Sequence, residues 1–223
     1  MMKYQSRPAF RHQAPAVLTR PLVLVVDDEA AVRESICELL QSVGIDAIGF
    51  ASTREFLDAE LPDRPGCLVL DVRMPGASGI ELQRQLASSG NTKPVIFLTG
   101  HGDIEMSVRA MRAGALDFLT KPFRPQALLD AVNAGIEKDV SLRTEARVMK
   151  GHADRVARLT PREREVFAGV ARGRLNKQIA SDLGISEVTV KFHRGSIKKK
   201  MKAASVSELV RAWDALPAAL REV

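Results

Sequence analysis

Apolar runs that each end in a polar, chemistry-bearing residue and lead into a helical pattern predict an α/β domain with a parallel sheet covered on both faces. A basic two-helix segment further along predicts a second, all-α domain. The clearest runs are Leu22–Val26, Cys67–Leu70, Val95–Thr99 and Leu116–Thr120. Buried parallel strands read this way, as nearly unbroken Val, Ile and Leu. Charge is divided along the same line. Residues 21–140 carry 11 Lys and Arg against 18 Asp and Glu, a net of −7, whereas residues 141–223 carry 18 against 9, a net of +9. The first twenty residues add +4. A basic half beside an acidic half implies that the second domain meets a polyanion, with nucleic acid the first choice.

Each element has its own signal. After the strand Leu22–Val26, the spacing of Val32, Ile36, Leu39, Leu40 and Val43 makes Ala31–Val43 a helix, stopped by Gly44. Ile45–Phe50 is the second strand, and Ser52-Thr-Arg-Glu55 is a capping box that opens a short helix. The third strand runs into Pro75, Gly76 and Gly79, a turn before the helix Ile80–Ala87. Val95–Thr99 precedes the helix Ile104–Ala113, and Leu116–Thr120 precedes the helix Pro125–Val140. Five such units with right-handed crossovers give a doubly wound, flavodoxin-like sheet of strand order 2-1-3-4-5. The charged stretch Glu137–Arg158 is expected to continue the last helix and then become a mobile linker, with Gly151 as the break.

In the second domain Thr160 is an N-cap, Pro161 takes the first helical position and Glu163 closes the capping box. That helix carries Val166, Phe167 and Val170 and ends near Gly173. Lys177–Leu183 is the next helix, Gly184-Ile-Ser186 the tight turn, and Ser186 caps a helix loaded with Lys and Arg. This is a helix-turn-helix. Ser205-Val-Ser-Glu208 opens a last amphipathic helix, closed by Pro217. The resulting divisions are a basic disordered arm at 1–20, the α/β domain at 21–138, a helical, charged linker at 139–158 and the helix-turn-helix domain at 159–223.

Composition narrows the class. No stretch approaches the ~18 apolar residues of a membrane helix. The N-terminus is basic but has no apolar core, which argues against a secretory signal. Cys37 and Cys67 have the setting of small buried hydrophobes, which fits a reducing cytoplasm.

The chemistry gathers at strand ends, where ligands of open α/β sheets bind. Asp27 and Asp28 follow the first strand, Asp71 ends the third, Thr99 the fourth, and Lys121 follows the fifth. Singly, such residues are ordinary solvated loop groups. Together the three carboxylates repel one another, so either protons are retained or a hard cation sits among them, with magnesium (Mg2+) the natural candidate. A nucleophilic carboxylate, a metal site, a hydroxyl and an ammonium are the parts that phosphoryl transfer needs.

The ordered Asp-Asp, Asp, Thr and Lys-Pro series resembles the receiver domain of two-component response regulators, over about 120 residues. The resemblance implies that Asp71 accepts a phosphoryl group from a sensor histidine kinase. It implies that Asp28, the Asp71 carboxylate and the main-chain carbonyl of Arg73 hold magnesium, with Asp27 supporting it partly through water. Thr99 would bond the phosphoryl group and Lys121 pair with its charge. Phe118 falls at the family's switch aromatic; it reads equally as an ordinary core phenylalanine. Arg73 and His101 would flank the path of the hydrolytic water.

Helical spacing splits the basic helix into two faces. Val190, Ile197 and Met201 should pack on the core, with Thr189 near the helix start, while Val188, Lys191, Phe192, Gly195 and Lys199 lie on the opposite side. An outward phenylalanine among lysines suits apolar contact with thymine methyls in a major groove. The LTPRE opening, the NKQIA helix and the TVKFH segment resemble the C-terminal domain of NarL/FixJ-type (LuxR-type helix-turn-helix) regulators, over about 60 residues. That resemblance implies base contacts by Lys191, Phe192 and Gly195. Thr189, Lys177, His193, Arg194 and Lys199 are then placed for phosphates or for the helix's own packing. Gly195 departs from relatives that carry a longer side chain there. The run Lys198–Lys202 reads as phosphate-contacting or as merely solubilising.

Both resemblances point to a phosphorylation-controlled, sequence-specific transcriptional regulator, whose own catalysis is limited to self-phosphorylation and self-dephosphorylation at Asp71. Its expected partners are a sensor histidine kinase, double-stranded promoter DNA and, once phosphorylated, a second copy of itself, with RNA polymerase a further candidate. The stripe Val206, Leu209, Val210, Trp213 and Leu216 serves that pairing or covers the domain's own core. Two alternatives remain: a receiver that only drains phosphate from a kinase, and a DNA-binding protein whose receiver acts independently of phosphorylation. The recognition helix argues against the first and the complete Asp, Thr and Lys set against the second.

Overall fold

The computed structural model of the chain describes residues 20–100, 111 and 114–221. His101, the arm at 1–20 apart from Arg20, and the expected helix Ile104–Ala113 apart from Met111 lie outside the described residues. The chain divides into two compact units between Val140 and Ser141.

The first unit is built on five parallel strands, β1 (Leu22–Val26), β2 (Asp46–Phe50), β3 (Leu68–Asp71), β4 (Val95–Thr99) and β5 (Asp117–Thr120), in the order β2-β1-β3-β4-β5. Helices α1 (Ala30–Ser42), α2 (Thr53–Asp58), α3 (Gly79–Ser88) and the part of α4 (Pro125–Val156) up to Val140 flank it. Every residue of β1, β3 and β4 is buried, because these strands are covered on both faces, while edge strand β5 is half open. Successive side chains go to opposite faces. Val23 and Val25 meet Ile36 and Leu40 of α1 and Leu128 and Val132 of α4, whereas Leu24 and Val26 share a cluster with Phe56 of α2 and Leu82 of α3. Each such side chain contributes about 1.5–3 kcal/mol by leaving water, so the three central strands anchor the unit.

Turn chemistry follows the sequence with two adjustments. Gly44 ends α1 at φ +81°, a conformation that suits glycine. Ser52 caps α2 by accepting the Glu55 N–H, but Glu55 answers to the N–H of Ala51, one residue earlier than a standard capping box. A full box, Ser78 with Glu81, opens α3 from within the glycine-rich turn, where no cap was expected.

The expected break at Gly151 is absent: α4 runs as a single helix of 32 residues from Pro125 to Val156. One glycine costs a helix only about 1 kcal/mol against alanine, and the flanking Ala, Arg, Met and Lys residues favour the helix.

The second unit consists of the end of α4 from Ser141, then α5 (Pro161–Ala171), α6 (Asn176–Leu183), α7 (Glu187–Met201), α8 (Val206–Asp214) and the short α9 (Ala218–Arg221). Its core joins Val166, Phe167 and Val170 of α5 to Ile179, Val190, Ile197, Met201, Leu209 and Trp213. Phe167 and Trp213 meet edge to face with ring centroids 4.9 Å apart. The Thr160/Glu163 box forms as the sequence predicts, and Gly184 turns the chain at φ +63° so that Ser186 can cap α7. Of the C-terminal stripe, Leu209, Trp213 and Leu216 are buried, whereas Val206 is exposed and Val210 half-buried.

Candidate functional site

Strand register assembles the acidic site. Val26 pairs with Leu70, Asp71 with Leu98 and Thr99 with Thr120, so the residues that end or follow β1, β3, β4 and β5 lie side by side. Asp27, Asp28 and Asp71 each bring a carboxylate oxygen within 4.8 Å of the others. Asp27, Asp71 and Thr99 are buried, while Asp28 is open to solvent. The Arg73 N–H donates to Asp71 Oδ1 at 3.1 Å, and the Glu29 N–H to Asp27 Oδ1 at 3.0 Å.

Lys121 holds the centre. Its ammonium lies 2.7 Å from Asp27 Oδ2, 2.8 Å from Asp71 Oδ2 and 3.1 Å from Glu29 Oε1. Burial alone would discharge this lysine, but its bonds to Asp27, Asp71 and Glu29 outweigh that cost and lift its pKa above the ordinary lysine value. Burial likewise raises the Asp27 carboxyl, and the Lys121 bond and the Glu29 N–H only partly offset it. Three acidic groups hold one ammonium and Asp28 adds a fourth acid beside Asp27 and Asp71, which leaves an excess of negative charge. The converging oxygens are the hard donors that a divalent cation takes, so the residues present fit such an ion.

Two residues here were not singled out from the sequence. Glu29 is a third partner of Lys121, signalled only by the adjacency of three acidic residues at 27–29. Gly79 lies where an added Cβ would meet the Asp71 carbonyl oxygen at 2.2 Å, so only glycine lets α3 start against the end of β3. Phe118 is half-buried against the Phe97 and Met74 side of the core, neither a fully packed core ring nor an exposed one.

In the second unit α7 has the two faces expected of it. Val190, Ile197 and Met201 are buried, while Val188 and Phe192 are 75% and 74% exposed, and Lys191, Gly195 and Lys199 are also open to solvent. Lys177, at the start of α6, is exposed too. Thr189, His193 and Arg194 are half-buried and belong in part to the packing. Thr189 Oγ1 lies 2.8 Å from Ser186 Oγ, Arg194 donates to Asn176 Oδ1 at 2.7 Å, and the His193 ring meets Phe192 edge on. A groove of about 860 Å³ beside α7 is lined by Arg174, Lys177, Lys191, Arg194, Gly195 and Lys198 among others. The lysine run is not one surface. Lys200 turns inward to Glu163 at 2.7 Å, Lys198 lines the groove, and Lys202 ends the helix in the left-handed conformation at φ 54°.

Comparison with known proteins assigns each unit to a family. Residues 23–133 match the response regulator receiver domain family, and residues 157–213 match the bacterial regulatory proteins of the luxR family. Nodulation protein W of Bradyrhizobium diazoefficiens is 48% identical over 198 residues, 89% of this chain and 87% of its own. The chain belongs to the NarL/FixJ response regulators. Among solved structures, the response regulator StyR superposes with a TM-score of 0.78 at 46% identity, covering 88% of this chain and 99% of that one. Full-length FixJ from B. japonicum gives 0.55 at 40% identity, covering 88% and 97%. As a response regulator with a LuxR-type output domain, the chain is a transcription factor rather than a member of a classical enzyme family. No helix among the described residues is long and apolar enough to cross a membrane.

Proposed function

We propose that Asp71 is the phosphoacceptor of this response regulator, that magnesium is its cofactor, and that phosphorylation controls binding of its helix-turn-helix domain to promoter DNA as a homodimer. The observation that carries the reading is Asp71 at a strand end, bonded to Lys121 and crowded by Asp27 and Asp28, in a chain whose other unit turns a basic face outward.

In this reading a carboxylate oxygen of Asp71 attacks the phosphorus of a phosphohistidine on a sensor kinase. The P–N bond breaks as the P–O bond forms, and the histidine nitrogen leaves with the electron pair. Asp28, Asp71 and the Arg73 carbonyl would hold magnesium, with Asp27 supporting them, and such an ion would supply neutralising charge for the phosphoryl group. Lys121 then trades its bond to the free carboxylate for one to the acyl phosphate. The Thr99 hydroxyl donates to a phosphoryl oxygen, and Phe118, only half packed, follows it. An apolar groove of about 650 Å³ formed by Ala31, Val32, Leu39, Pro122 and Phe123 opens beside Glu29 and Lys121, and gives a kinase helix a seat next to the acceptor.

On DNA, Lys191, Phe192 and Gly195 meet base edges, while Lys177 and Lys199 meet phosphates, as do the parts of Thr189, His193 and Arg194 left open by packing. Val206 and Val210 are the stripe residues left for pairing two copies. The test is magnesium-dependent labelling by acetyl phosphate together with promoter binding on one preparation. Asp71→Asn, nearly isosteric, should abolish labelling and the gain in DNA affinity while the fold persists. Stoichiometric labelling of that variant refutes the acceptor. Labelling without DNA binding would mark a phosphate sink, and DNA binding indifferent to labelling a receiver independent of phosphorylation.

A further inference from the structure

We propose that Phe192 and Gly195 form a reader of thymine methyl groups and so determine which operator this chain selects. The inference rests on the DNA-binding reading above and names the bases it takes. Val188 and Phe192 stand 75% and 74% exposed, and Gly195 lies on the same side one turn further along α7. An open phenyl ring beside an open valine is an unfavourable surface in water and calls for a partner that covers it.

The charge of the helix selects that partner. Apart from Lys200, which is paired with Glu163, α7 carries Lys191, Arg194, Lys198 and Lys199 against the single acid Glu187, so the cover is a polyanion. The edges of base pairs offer one apolar group in the major groove, the C5-methyl of thymine. Gly195 then acquires a role that the fold does not supply. An added Cβ there meets nothing within 4 Å, and its φ is not positive, so neither packing nor backbone conformation calls for glycine in mid-helix. What the missing side chain does is leave a notch in the groove that Gly195 lines with Lys191 and Lys198, one helical turn along from Phe192. A thymine methyl seated in the notch is closed on one side by the Phe192 ring, while Lys191 reaches a neighbouring acceptor.

The experiment uses the full chain, treated with acetyl phosphate and magnesium, to select duplexes from a random library. Uracil then replaces thymine in the enriched sequence, one position at a time, removing the methyl and nothing else from the base edge. The wild-type chain should lose about fivefold in affinity at one or two positions per half-site. Phe192→Ala should bind the thymine and uracil duplexes within about twofold of each other. Gly195→Ala should keep the fold and lose about fivefold on the selected duplex, with random DNA changed by less than about twofold. An enriched sequence with no uracil penalty, or the same penalty in Phe192→Ala, overturns the methyl reader and leaves DNA recognition standing. A library that yields no enriched sequence overturns both.

Discussion

Replacing Glu163 by Gln should remove about 2 kcal/mol of stability from the second unit, and only where the carboxyl is ionised. Glu163 is buried and accepts from the Thr160 N–H at 2.8 Å, the Ser196 hydroxyl at 2.5 Å and the Lys200 ammonium at 2.7 Å, so one side chain ties the start of α5 to α7. Burial pushes its pKa up, but the Lys200, Ser196 and Thr160 bonds outweigh burial and hold it at about 2, against an ordinary 4.5. By linkage that difference is worth about 3 kcal/mol at most. The Lys200 side chain is 35% exposed, so solvent screens the pair and about 2 kcal/mol is the expected loss. Gln keeps the shape and can still accept from Thr160, which isolates the charge. Urea unfolding followed by Trp213 emission is the assay, since this only tryptophan packs on Phe167 in the same core. The sign is fixed by the lowered pKa. The wild-type advantage is complete above the unfolded-state value near 4.5 and fades as pH falls toward the folded-state value of about 2. By pH 3 it should have lost roughly half or more of its size. A difference below about 0.5 kcal/mol at pH 7, or one that persists undiminished at pH 3, refutes the reasoning.

Lys191→Ala should cost about 1–3 kcal/mol on the selected operator, whereas Lys199→Ala should weaken all DNA and lower the salt slope by about one; equal loss on specific and random DNA would make Lys191 purely electrostatic. Glu29→Gln removes one charge beside Lys121 and the acidic trio, so magnesium affinity measured by calorimetry should fall about twofold to fivefold, and unchanged affinity would place Glu29 outside the site. Lys202→Gly relieves a left-handed residue at φ 54° and should stabilise the second unit by about 1 kcal/mol in the same urea assay, an unaltered midpoint counting against strain there.

By itself the sequence determined most of what recurs with a short period or a local signature. Strand and helix alternation, the strand order 2-1-3-4-5, the Thr160 and Ser186 caps and the two faces of α7 all follow from patterns a few residues long, and the structure contains each. The acidic site was legible for the same reason, since parallel strands in register bring their carboxyl ends together whatever connects them. Tertiary structure decided what depends on distance between remote residues. That Lys200 turns to Glu163 while Lys199 stays in solvent, that Trp213 is buried while Val206 is not, and that Gly79 alone fits against the Asp71 carbonyl are matters of which surface lies opposite, and no local pattern encodes them. Gly151 failed as a break for a related reason: a helix-breaking tendency of about 1 kcal/mol is smaller than what its neighbours contribute, and only their sum settles the outcome.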